Sequence, residues 1–186
     1  MLPLRLALEH HPGGMELRGP NSILYEIGAG AAQPAPARAR GEALSWTLLG
    51  DQDAASGALL ARGVELDPQT KWLMRCDRVE FEPGGIAYRH VHPGPGIRYL
   101  LYGQITIDSE GTVASYRPGQ AWFERGPDPV LATTSASGPS AFARVLLLPA
   151  AYAGERTIRY VDPADAQKPK SQRATIFCEA PVVSAR

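Results

Sequence analysis

The stretch EPGGIAYRHVHPGPGIRYLLYG, residues 82–103, decides how the rest of the chain is read. Pro83-Gly84-Gly85 opens it and Pro93-Gly94-Pro95-Gly96 interrupts it, so the residues between cannot form a helix of ordinary length. They read instead as a short strand. On a strand successive side chains alternate faces, which puts His90 and His92 on one side, about 7 Å apart at the backbone. By the same parity Tyr88 shares that face, where its hydroxyl is a candidate hydrogen-bond donor or acid. Two neutral imidazoles at this spacing can chelate one divalent ion, or they can simply line a polar face.

The same punctuation extends in both directions. Nineteen glycines and seventeen prolines are spread through 186 residues, and they cut the chain into short segments bounded by turns. Candidate strands are residues 23–27, 45–49, 72–81, 87–92, 97–107, 112–116, 121–124, 142–148, 157–161 and 174–178. Many short strands at near-regular spacing predict an all-β sandwich or barrel. Residues 28–41, GAGAAQPAPARARG, lack large apolar side chains and read as a connector or surface loop. Residues 51–62 allow a short helix capped by Asp51 or Asp53, and residues 163–167 a helical turn. The first nine residues alternate Leu2, Leu4, Leu6 and Leu8 with other types, a strand period rather than the apolar run of a targeting segment. His10 and His11 follow; adjacent residues face opposite sides of a strand, so they make a poor chelate and are read as a surface turn.

Composition narrows the function classes. Nineteen basic and nineteen acidic residues leave no net charge, and the pI is near 6.9, so nothing favours nucleic acid or an anionic membrane as partner. No apolar stretch approaches the roughly 20 residues of a membrane span. Cys76 and Cys178 lie far apart in sequence without a CxxC spacing, which suggests neither a disulfide framework nor a zinc ribbon and leans toward a reducing, cytoplasmic setting. No Gly-x-Ser-x-Gly elbow, phosphate-binding loop or dinucleotide fingerprint occurs. Trp46, Trp72, Trp122, Phe123, Tyr99 and Tyr102 are read first as core.

Residues 84–103 resemble the first motif of the cupin superfamily: Gly, five residues, His-x-His, three or four residues, Glu, six residues, Gly. Five residues separate Gly84 from His90, and Gly103 closes the motif. Tyr116, Pro118 and Gly119 look like the turn that opens the second motif, and residues 121–124 like its strand. The resemblance implies a double-stranded β-helix, or jelly-roll, barrel in a single domain. Residues 72–149 would hold the core barrel, residues 1–71 would extend the sheet or an interface, and residues 150–186 would close it.

Two of the four ligands usual in cupins are missing. Gly96 stands where the glutamate belongs, and Val130 about where the third histidine belongs. Two imidazoles alone bind a divalent ion weakly, so a metal site needs a replacement. Glu124 is the leading candidate, at the end of a strand that should neighbour the histidines; Asp128, in a GPDP turn, is weaker. The alternative for Glu124 is a partner such as Arg125 or Arg98. Arg98 lies two residues past Gly96 and so points inward, to hold a carboxylate-bearing ligand or to pair with Glu124.

The resemblance and these residue positions together give the expectation of a metalloprotein: His90, His92 and Glu124 around iron, manganese, nickel or zinc, with Tyr88 and Arg98 as catalytic groups. It would be an oxygenase or isomerase acting on a small acidic molecule. The competing expectation is a metal-free barrel that binds a small ligand after the metal site has decayed. A homodimer is expected, with the alternating amino-terminal segment as a strand exchanged between copies.

Overall fold

A computed structural model describes residues 2–183. The amino-terminal strands are β1 (Leu2–His11), β2 (Met15–Leu17), β3 (Ser22–Glu26), β4 (Ala31–Pro34), β5 (Ala37–Ala39), β6 (Ala43–Gly50) and β7 (Leu60–Leu66). Five of them form an antiparallel sheet in the order β4-β3-β6-β1-β7, and β2 pairs with β5 in a separate ribbon. The remaining strands are β8 (Trp72–Phe81), β9 (Ile86–Val91), β10 (Gly96–Tyr102), β11 (Ile105–Ser109), β12 (Thr112–Tyr116), β13 (Ala121–Glu124), β14 (Val130–Thr134), β15 (Ser140–Pro149), β16 (Arg159–Tyr160) and β17 (Gln172–Pro181). They make two further sheets, β13-β10-β15-β8-β17 and β12-β11-β14-β9-β16. Without the late additions β16 and β17, the orders β8-β15-β10-β13 and β9-β14-β11-β12 are those of an eight-stranded jelly roll.

Three layers result, and the middle sheet is covered on both faces. On one face Met74, Cys76, Ile97, Val145 and Leu147 pack against Leu6, Leu8, Ile23, Leu44 and Trp46 of the amino-terminal sheet. On the other, Val79, Phe81, Leu100, Trp122 and Phe142 meet Ala87, Ile105, Ile107, Val130 and Ala132 inside the barrel. This explains why β15, SAFARVLLLP, is apolar nearly throughout rather than alternating. Trp46 also donates its indole N–H to the Ile97 carbonyl, 3.2 Å, joining the two layers.

Several sequence expectations change here. Residues 51–62 hold no helix: Asp53 accepts the Gly50 N–H in a turn, and the apolar residues beyond it enter β7, which pairs along β1. The glycine- and alanine-rich connector contains β4 and β5, and its Ala37 and Ala39 are buried against Leu17, Leu24 and Ala43. His10 and His11 finish β1 instead of forming a turn, and bond Glu42 and Ser45 at 2.8 Å each. β1 runs between β6 and β7 and is hydrogen-bonded on both sides within the chain. The helical turn at residues 163–167 is present as a 3-10 turn capped by Asp162. Cys76 and Cys178 are free thiols. Among the described residues no helix is long and apolar enough to cross a membrane.

Candidate functional site

The histidine strand carries an irregularity that strict alternation does not anticipate. Along the β9–β14 pair, Val130 faces His90 and Ala132 faces Ala87, so three steps on β9 match two on β14. Such a bulge moves one residue out of phase. Ala87 and His90 therefore both face the barrel cavity, whereas Tyr88 does not line it and instead lies beneath the Lys168 ammonium, 4.6 Å from the ring centre. The expected common face of Tyr88 and the histidines is thus overturned by the bulge. His92, one residue past β9, turns back inward and is buried beside His90. The two Nε2 atoms are 3.3 Å apart, with the rings edge-on at 84°.

The opposite wall is the middle sheet, where Trp122, Arg98, Arg144 and Asp77 stand in register on β13, β10, β15 and β8. Residues directly opposite share a face, so this row points into the barrel. Arg144 donates through Nε and Nη2 to the two oxygens of Asp77, at 2.6 and 3.1 Å, and its Nη1 reaches His92 Nε2 at 3.2 Å. Arg98 is fully buried. Its Nη1 donates to the Gly96 carbonyl at 2.6 Å, and its Nη2 lies 2.5 Å from Glu124 Oε2 in an ion contact that is not aligned as a hydrogen bond. Trp122 donates to the other Glu124 oxygen at 2.9 Å. Arg75 pairs with Glu179 at 2.6 Å and donates to the carbonyls of Glu155 and Tyr152, tying residues 152–155 to the barrel.

Burial governs the ionisation of these groups. It pushes the His90 imidazole below its ordinary value, opposed by the Tyr88 carbonyl and the Glu124 carboxylate. It holds His92 well below that value, reinforced by Arg144 and Arg98. Burial also lowers the Arg98 guanidinium to about 10, with Glu124 opposing, which leaves it charged at neutral pH. The site therefore contains two neutral imidazoles and three arginines, each arginine matched by one carboxylate.

These groups border a cavity of about 490 Å³, within the range of small-molecule sites. His90, His92, Arg144, Asp77 and Glu124 form its polar floor; Val79, Phe81, Ile107, Val130 and Phe142 form an apolar wall. Arg156, Lys170 and Arg173 add positive charge to the lining.

The expected metal-ligating trio does not assemble. No group of three His, Cys, Asp or Glu residues able to hold a metal occurs among the described residues. Both Glu124 oxygens are engaged, by Trp122 and Arg98, and Arg144 directs a positive charge at His92 Nε2. The 3.3 Å between the imidazoles would suit two ligands of one cation, but the remaining donors do not fit a divalent metal. Arg125 and Asp128 turn aside to one another, at 3.4 Å.

No protein-family model matches the chain, and no curated protein sequence does. Several solved structures are similar in shape. An RmlC-like cupin from Shewanella frigidimarina aligns over 45% of this chain and 88% of its own, at 14% identity and a TM-score of 0.37. A polyketide cyclase from Streptomyces resistomycificus aligns over 55% and 72%, at 22% identity and 0.40. Salicylate 1,2-dioxygenase from Pseudoaminobacter salicylatoxidans, solved with gentisate, aligns over 94% and 68%, at 9% identity and 0.44. The strand order of the jelly roll, with His-x-His at the end of its second strand and aimed inward, decides the architecture. The fold is a jelly-roll barrel, the architecture that the cupin resemblance implies.

Where the cupin motif would place metal ligands, the floor carries arginines paired with carboxylates. Glu124 stands directly across from Gly96, so a carboxylate is returned from the neighbouring strand, only to be neutralised by Arg98. Val130 stands directly across from His90 and adds to the apolar wall. Arg98 pairs with Glu124 and is not among the residues lining the cavity, so a different arginine borders it beside the histidines. That residue is Arg144, which sequence reasoning missed, as it did Asp77 and Arg75. A signal existed: Arg144 is the one charge in SAFARVLLLP, a run buried on both faces.

Proposed function

We propose that this jelly-roll barrel binds a small acid with an apolar body, holding it by charge and hydrogen bonds and without a metal. One observation carries the reading. Asp77 occupies Nε and Nη2 of Arg144, which orients the guanidinium and leaves Nη1 presented to the cavity beside two neutral imidazoles. A guanidinium fixed in this way suits a carboxylate oxygen. Phe81, Phe142 and Val79 supply an apolar surface for the rest of the molecule, and the cationic lining favours entry of an anion. Of the two functions expected from the sequence, the metal-dependent oxygenase or isomerase lacks its third donor; the metal-free barrel does not need one.

The test is calorimetric titration of 3-phenylpropanoate and its methyl ester into the protein. The acid should bind and the ester should not compete, and Arg144→Lys, checked for an unchanged melting temperature, should weaken binding. Loss of hydrogen bonds between charged groups costs about 1.5 to 3 kcal/mol, roughly ten- to more than a hundredfold in affinity. Equal binding of acid and ester would overturn the reading.

A further inference from the structure

The hydrogen-bond partners of His90 and His92 determine where their protons sit. The Tyr88 carbonyl can only accept, so at 2.7 Å it accepts a hydrogen bond from His90 Nδ1–H, which leaves Nε2 as a bare lone pair. Arg144 Nη1 can only donate, so His92 Nε2 is also a lone pair. The proton of His92 is then on Nδ1, which is buried beside the Thr157 backbone but outside good hydrogen-bond geometry. Burial keeps both rings neutral. Two lone pairs consequently face one another across 3.3 Å at the cavity floor, with no proton of their own between them. His92 Nε2 already takes a hydrogen from Arg144, so His90 Nε2 is the one left without a donor, and the adjacent guanidinium makes a second cation an unsuitable partner for it. What fits is a weakly acidic hydrogen on a bound molecule whose neighbouring oxygen can lie on Arg144.

We propose that His90 is a general base and Arg144 an oxyanion partner, making the barrel a metal-free enolising isomerase of 2-oxo acids. This rests on the acid-binding reading above. In the step, the bond between carbon 3 of the acid and one hydrogen breaks, and the proton passes to His90 Nε2. The electron pair forms the carbon–carbon double bond, and the ketone oxygen becomes an enolate that shares the remaining Arg144 Nη1 hydrogen with the adjacent carboxylate oxygen. The imidazolium so formed is stabilised by the Tyr88 carbonyl and the Glu124 carboxylate. Return of the proton to carbon regenerates the ketone, and its delivery to oxygen gives the enol. No oxidant, reductant or metal enters the balance.

The probe is phenylpyruvate, whose ring matches the apolar wall. Exchange of its carbon 3 hydrogens in deuterated buffer is followed by proton NMR, and its binding is measured separately by calorimetry, with 3-phenylpropanoate as an unreactive companion. The wild-type protein should accelerate exchange by about a hundredfold or more over buffer. His90→Gln should return exchange to background while phenylpyruvate binding remains detectable by calorimetry. Arg144→Lys should slow exchange as well. Binding of phenylpyruvate without accelerated exchange would overturn the base assignment and leave the acid-binding reading standing, as would exchange undiminished in His90→Gln. Failure of both acids to bind would overturn the two together.

Discussion

Arg144 and Asp77 face each other across β15 and β8 and share two hydrogen bonds, with both side chains buried in the barrel floor. A charge so placed depends on its partner. Asp77→Asn leaves the guanidinium buried without its counter-ion, a loss of about 3 to 5 kcal/mol by the usual cost of breaking a buried pair. Urea unfolding should show it as a lower midpoint. A variant as stable as the wild type would mean that Arg144 finds another anion or leaves the floor.

Gly96 is required by its surroundings. A Cβ there would lie 2.4 Å from the Val145 carbonyl oxygen, 2.7 Å from Leu146 and 3.1 Å from Arg98 Nη1. The first of these is backbone in a central strand and cannot withdraw cheaply. Gly96→Ala should therefore destabilise the fold by about 1 to 3 kcal/mol or more, read as a fall in melting temperature. Gly96→Glu should be worse and should not create a metal centre. Normal stability of either variant would refute this packing.

Acid should weaken the protein through its two buried histidines. Both are held below the ordinary value of 6.5, so as pH falls the unfolded chain takes up protons before the folded one does. Stability is then complete above about pH 6.5 and declines below it, by up to about 1.4 kcal/mol per pH unit for each histidine. Urea titrations from neutral pH downward should show this slope, reduced in His90→Gln and in His92→Gln. Identical slopes in the wild type and both variants would place the proton uptake elsewhere.

Chelation should leave the protein unchanged. With no third donor among the described residues, dialysis against a chelator should not lower the melting temperature, and added zinc, manganese, nickel or ferrous iron should not raise it. Elemental analysis should find far less than one equivalent of metal. A full equivalent retained through purification would restore the metal-centre expectation.

Much of the architecture was legible because punctuation by glycine and proline is local. β8, β12 and β13 have the bounds that turn residues and apolar pattern predict. β14 was not recognised, since Thr133 and Thr134 run into a polar turn and only pairing with β9 and β11 makes the segment a strand. β7 was obscured by alanines and leucines that suit a helix equally well; the open side of β1 decides between them. At the site, parity correctly turned Arg98 inward, but it failed for Tyr88 because a bulge is a property of two strands and only one was being read. The Arg144–Asp77 pair joins residues 67 positions apart, a contact that no local pattern contains.

The position of β15 bears on when the barrel can exist at all. It lies between β10 and β8 and pairs with both, from Phe81 opposite Ser140 to Trp72 opposite Pro149. Translation adds about five to twenty residues per second, so for seconds the nascent chain holds β8 and β10 with their common neighbour still unmade. Their edges stay open and their apolar faces uncovered through that interval. Chain closure is thus a late, non-local event, of the kind that sets slow folding and leaves an emerging polypeptide in need of protection from its neighbours.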